Sequence, residues 1–169
     1  MNAPEDLETA LAVQQFVAAE AELLNRGDWK AWLTLFSADS VYWMPLSPDQ
    51  TDWESQVSLL CDDALLRELK CRRWYDRHHE TGAMSLKPDI RSLRLISTLS
   101  VSSLSGRDGP ELLASGGVTL AEFSRGEVRT HFARVTWRLR RNAASFSILE
   151  KRVDLLNAQG PLSDIVTYF

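Results

Sequence analysis

Two cysteines, three histidines and eight glycines in 169 residues leave little room for several kinds of chemistry. A Rieske cluster takes two cysteines and two histidines. Cys61 is followed by Asp62-Asp63 and Cys71 by Arg72-Arg73, and no histidine follows either until His78. A mononuclear iron triad needs two histidines and a carboxylate converging on one ion. His78 and His79 are adjacent, so they point to opposite faces of a strand or diverge on a helix. No Walker loop, GxGxxG, GxSxG elbow or HExxH is present. No apolar run approaches the roughly 18 residues that span a bilayer, and Glu5, Asp6 and Glu8 stand where a signal peptide would carry basic residues. A cytoplasmic protein with no membrane partner is expected.

Positive charge is also in short supply. Nineteen lysines and arginines against 23 aspartates and glutamates give a formal net charge of −4, which argues against nucleic acid as a partner. The one basic cluster, Arg67, Lys70, Arg72, Arg73 and Arg77, reads either as a charged helix face or as a docking surface for an acidic partner. Cys61 and Cys71 flank a helical stretch that would hold their Cα atoms about 15 Å apart, too far for a disulfide, so both are expected as thiols.

What is present is a change of period. Val13, Phe16, Val17, Ala21 and Leu24 recur at three- and four-residue steps and predict an amphipathic helix from Leu7 to Asn25, ended by Gly27. Asp28 caps a second helix that sets Trp29, Trp32, Leu33 and Phe36 on one face. Ser40 to Met44 is a short strand ended by Pro45, and Leu46 to Trp53 is an irregular excursion. A third helix from Ala64 to Tyr75 is expected to turn Leu65, Leu66 and Leu69 inward, followed by a loop from Asp76 to Pro88. From Asp89 the period becomes two, with Leu93, Leu95, Leu99 and Val101 as the half-buried set. Strands over 111–123, 128–139 and 145–156 complete a meander, with a bulge expected at Gly116-Gly117. Helices followed by long antiparallel strands make one α+β domain over residues 1–169, a curved sheet rolled into a cone around helices. Periodicity does not say whether that cone is open or filled.

Two residues stand out as candidates for acid–base chemistry inside such a cone. His131 alternates with Phe132 on a long strand, and Glu20 falls on the apolar stripe of the first helix. A carboxylate there must find a partner, and Arg91 or Arg134 is the expected one.

The string Leu23-Leu24-Asn25-Arg26-Gly27-Asp28-Trp29-Lys30-Ala31-Trp32-Leu33-Thr34-Leu35-Phe36, with Asp39 and Tyr42-Trp43-Met44-Pro45 after it, resembles the N-terminal signature of the β subunits of aromatic-ring-hydroxylating dioxygenases. Asp62-Asp63 with Leu66 and Arg72, then Arg91, the stretch from Phe146 to Leu156, and Thr167-Tyr168-Phe169 extend the likeness over nearly the whole chain. Arg94 and Asn157 depart from it, standing where the family often has histidine and aspartate. The resemblance implies an NTF2-like (cystatin-like) cone and a non-catalytic subunit with no cofactor or metal of its own. It implies assembly with an α subunit, three α and three β, with β–β contacts in a trimer. The α subunit would carry the Rieske [2Fe-2S] cluster and the mononuclear iron, receive electrons from NADH through a reductase, and perform the cis-dihydroxylation. Trp43, Trp53, Trp74 and Tyr75 are then interface candidates. Two readings compete: a stand-alone enzyme resembling ketosteroid isomerase, with His131 and Glu20 converging on a pocket, and a small-ligand binding module.

Overall fold

A computed structural model describes residues 3–75, 90–106, 109–143 and 145–169. Helix α1 spans Ala3–Arg26, starting earlier than the apolar period suggests. It ends in a Schellman closure, in which the Asp28 amide donates to the Leu23 carbonyl (2.9 Å) and the Gly27 amide to that of Leu24 (3.1 Å). The closure needs the left-handed φ of +70° that Gly27 adopts. Asp28 then caps α2 (Trp29–Leu33), its Oδ1 accepting from the Ala31 amide at 3.1 Å. Phe36 does not continue that helix. It opens strand β1 (Phe36–Pro45), whose last six residues are buried on both faces.

The remaining elements are β2 (Ser58–Asp62), α3 (Ala64–Tyr75), β3 (Arg91–Ile96), β4 (Ser100–Gly106), β5 (Gly109–Ser124), β6 (Glu127–Arg141) and β7 (Phe146–Leu155). With β1 these strands form one seven-stranded sheet in the order β2-β1-β7-β6-β5-β3, with β4 also paired to β5. Only β1–β7 is parallel among the pairs described. The sheet curves around α1, whose Val13, Phe16, Val17 and Leu24 pack on Leu120, Val135, Trp137 and Ile148 to make the core.

Three further local expectations are corrected. The strand expected over 93–101 is two strands, and its phase is inverted in the first: Leu93 and Leu95 are 53% and 62% exposed and Arg94 is buried, while Leu99 and Val101 are half-buried against the core as expected. Helix α3 is likewise turned over, with Leu65, Leu66 and Leu69 outward and Arg67, Cys71 and Trp74 inward. Gly116-Gly117 is not a bulge, since β5 and β6 keep register through it. The glycines instead face the break between β3 and β4, where a Cβ on Gly116 would come within 2.6 Å of Leu99. Strand β2 was hidden by its short length and mixed composition. His78, His79 and Arg77 lie outside the described residues, as does the loop expected after Tyr75.

Candidate functional site

The cone floor is polar, and its parts come from both ends of the chain. Glu20 projects inward from α1 on the stripe it shares with Phe16, Val17 and Leu24. Its expected partner, Arg91 or Arg134, is wrong. The carboxylate accepts from Trp32 Nε1 (3.0 Å), Trp137 Nε1 (2.8 Å) and Lys151 Nζ (2.5 Å). A fully buried carboxylate needs its charge and lone pairs met, and one ammonium with two indole donors does this. Burial pushes the Lys151 ammonium below its ordinary pKa, and the neighbouring Glu20 charge opposes the shift.

Lys151 also donates to the Phe169 carbonyl at 2.5 Å, so the last described residues are drawn into the floor. The Phe169 amide donates to the Tyr42 hydroxyl at 3.0 Å. Arg94 spans a gap between elements: it donates to Asn25 Oδ1 at the end of α1 (3.2 Å), to Thr167 Oγ1 (3.0 Å) and to the Tyr168 carbonyl (2.9 Å). Burial lowers its pKa to about 10, which leaves it cationic at neutral pH. The space left among Glu20, Arg94, Val118, Trp137, Lys151 and Phe169 is about 10 Å³, room for one water. The cone is therefore filled at its floor by its own side chains.

His131 belongs to a different cluster. It faces inward on β6, and its Nε2 lies 3.7 Å from Glu122 Oε2 without a hydrogen bond. Glu122 is occupied by the chain itself, accepting from the amides of Val166 (3.1 Å) and Thr167 (2.7 Å) and from the Thr167 hydroxyl (2.5 Å). His131 and Trp137 stand six residues apart on β6, roughly 20 Å along a strand, so His131 and Glu20 do not converge. None of the cavities described is lined by both. Among the described residues no group of three or more His, Cys, Asp or Glu side chains is placed to hold a metal ion.

The aromatic candidates divide. Trp43 is buried, donating to Ser58 Oγ at 2.7 Å with the Arg152 guanidinium 4.6 Å from its ring. Trp74 stacks on Trp29 with ring centroids 5.0 Å apart. It also borders a depression of about 430 Å³ at the mouth of the cone, with Tyr42, Met44, Leu60 and Tyr168 below. Trp53 is partly exposed on the loop after β1. Tyr75 ends α3, and its side chain is outside the description.

Sequence reasoning missed Lys151, Glu122, Asp62 and Tyr42 as floor residues. Two-residue alternation held a usable signal for the strand residues. Lys151 shares its phase with Val153 and Leu155, and Glu122 shares its phase with Val118 and Leu120, all of them buried. Asp62 could not be found this way, because its partners are Lys70 Nζ (2.6 Å), local to α3, and the Tyr168 hydroxyl (2.8 Å), 106 positions away.

The chain matches the family model described as the ring hydroxylating beta subunit over residues 19–159. It is 36% identical over 53 residues to the toluate 1,2-dioxygenase subunit beta of Pseudomonas putida, a match covering 29% of this chain and only 33% of that protein. The fold superposes on the β subunit of benzoate 1,2-dioxygenase from Burkholderia mallei with a TM-score of 0.65 and 25% identity, over 92% of this chain and 95% of that one. It also superposes on an NTF2-like protein with a cystatin-like fold from Novosphingobium aromaticivorans, with a TM-score of 0.60 and 13% identity over 91% and 86% of the two chains. An α+β cone whose sequence fits that model for most of its length belongs to the ring-hydroxylating dioxygenase β-subunit family, on the NTF2-like fold.

Proposed function

We propose that this chain is a non-catalytic β subunit, one domain over residues 1–169, that assembles with an iron-bearing α subunit of an aromatic-ring-hydroxylating dioxygenase. The observation that carries the reading is the closed cone floor. Acid–base enzymes on this fold need a pocket in which a base meets substrate. Here the inward carboxylate Glu20 has three donors, and about 10 Å³ remains beside it. The donor set does not fit the iron groups either, since His131 has neither a second histidine nor a free carboxylate beside it among the described residues. Membership of the β-subunit family supports placing the Rieske cluster, the mononuclear iron and the NADH-linked electron supply on partner chains. No step of the oxidation is routed through this chain.

The chain's part is then to present a rigid surface. Three β subunits in contact with one another and with three α subunits is the assembly we propose. Trp53 is reachable for such contacts, whereas Trp43 and Trp74 serve the interior.

The test is co-expression with ring-hydroxylating α subunits, followed by size exclusion, iron analysis and a visible spectrum. The chain alone is expected to be colourless, iron-free and inactive on aromatic substrates, with turnover restored by an α subunit. Stoichiometric iron on the isolated chain would overturn the reading. So would turnover by the isolated chain that disappears in His131→Ala, which would favour the stand-alone enzyme.

A further inference from the structure

Residues 162–169 fill the cone without belonging to its sheet. None of them lies in a helix or strand, and among the described residues no backbone–backbone hydrogen bond reaches them. Yet Tyr168 and Phe169 are buried. The Tyr168 ring lies 4.8 Å from the rings of Trp32 and Tyr42, and Phe169 borders the same small space as Glu20, Trp137 and Lys151. Side chains hold this strap. Glu122 accepts from the Val166 and Thr167 amides and the Tyr42 hydroxyl from the Phe169 amide, while Arg94 and Lys151 donate to the Tyr168 and Phe169 carbonyls. A segment held this way can leave while every strand pairing stays intact.

Its departure strands no buried charge, because each one it touches has a second partner in the body of the domain. Lys151 keeps Glu20 at 2.5 Å, Asp62 keeps Lys70 at 2.6 Å, and Arg94 Nη1 keeps Asn25 Oδ1 and Ser92 Oγ at 3.2 and 3.0 Å. Glu122 has His131 Nε2 3.7 Å away, buried and without a hydrogen bond. The strap's own ion pair, Asp164 with Arg129 at 3.6 Å, is at the surface, where such pairs contribute little.

What the strap gives the cone describes what can take its place. Arg94 is 5% exposed and has no ion-pair partner among the described residues. Its Nε and Nη2 converge on one neutral acceptor, the Tyr168 carbonyl, with Thr167 Oγ1 beside it. That edge of a guanidinium matches the two oxygens of a carboxylate, and a charge-assisted pair there is stronger than a bond to an amide oxygen. The ring positions of Tyr168 and Phe169 are walled by Trp32, Tyr42 and Trp137. Tyr168 also lines the depression of about 430 Å³ at the cone mouth, so its departure joins that depression to the interior.

We infer that residues 162–169 are a releasable plug, an internal ligand, and that the cone they vacate binds a small aromatic carboxylic acid, its carboxylate on Arg94 and its ring among Trp32, Tyr42 and Trp137. The inference is independent of the subunit reading, since it concerns the isolated chain.

The probe is 3-phenylpropionate, which has the ring and carboxyl group of a phenylalanine. In the full wild-type chain, native-state hydrogen exchange should show the Val166, Thr167 and Phe169 amides opening at least tenfold more often than those of Val135 and Trp137 in β6. That opening should depend little on low denaturant, because it exposes little surface. Phe169→Ala removes the competing ring and should bind the probe at least tenfold more tightly than the wild type in a tryptophan fluorescence titration. Thr167→Val keeps the shape of the strap, loses the hydroxyl bond to Glu122 and should bind severalfold more tightly; it decides the matter if Phe169→Ala does not fold. The neutral analogue 3-phenylpropionamide should bind either variant at least tenfold more weakly than the acid. Strap amides that exchange only through global unfolding overturn the plug. Variants that bind the probe no better than the wild type, or that bind acid and amide equally, overturn the site.

Discussion

Lys151 Nζ lies 2.5 Å from Glu20 Oε1, with no more than 2% of either side chain exposed. One residue comes from the first helix and the other from the last strand, so the pair closes the core across 131 positions of sequence. Breaking such a pair from one side leaves an uncompensated buried charge. Glu20→Ala also removes the acceptor of two indole N–H groups. It is expected to cost about 3–5 kcal/mol in chemical denaturation. Glu20→Gln combined with Lys151→Met removes both charges and keeps one acceptor, and should recover much of that loss. A double variant as unstable as Glu20→Ala would show that the stranded charge is not the main cost.

Arg94 ties α1 to the last described residues through Asn25, Thr167 and Tyr168. Lysine keeps the charge but not the planar fork that reaches three directions. Arg94→Lys is therefore expected to lose about 1–3 kcal/mol and to speed amide hydrogen exchange at Thr167 and Phe169. Exchange there as slow as in the wild type would refute the clamp.

Both cysteines are thiols, and they differ in burial. Ellman's reagent at pH 8 should modify half-buried Cys61 in the folded chain and reach Cys71 only on unfolding. Burial pushes the Cys71 thiol up from 9.0 to about 12. The sign follows: in the unfolded chain this thiol ionises near pH 9, while in the folded chain it stays neutral. Its contribution is present below pH 9 and is lost as pH rises from 9 towards about 12. Cys71→Ala should make the denaturation midpoint fall less steeply over that range. An unchanged slope would contradict the shift.

Gly116 faces Leu99 at the break between β3 and β4. Gly116→Val should destabilise by about 1–3 kcal/mol through overpacking. Adding Leu99→Ala should relieve part of the penalty, because the contact is with a side chain. Simple additivity of the two changes would place the strain elsewhere.

How much of this was legible depends on what each inference needed. The period of α1, the glycine stop at Gly27 and the cap at Asp28 are local, and they hold because the chain's own neighbouring amides and carbonyls complete them. The order of helices and strands, and with it the cone, follows from changes of period along the chain. Glu20 was readable as a buried carboxylate, since a helix stripe is a property of one segment.

Its partner was not readable. Lys151 is brought to Glu20 by the pairing of β1, β6 and β7, which no single segment encodes. The same holds for the faces of α3 and β3. Three leucines in a helix and two in a strand predict inward sides only if burial follows hydrophobicity segment by segment. Arg67 and Arg94 go inside instead, because Ser40, Phe36, Thr167 and Tyr168 arrive from distant positions with acceptors and a ring to receive them. By itself the sequence determined the three helices, the long strands β5, β6 and β7, the inward stripe of α1 and the family pattern they fit, but not β2 or the break between β3 and β4. Only the tertiary structure decided which face of α3 and of β3 is the interior, since a buried cation is tolerated where its partners converge.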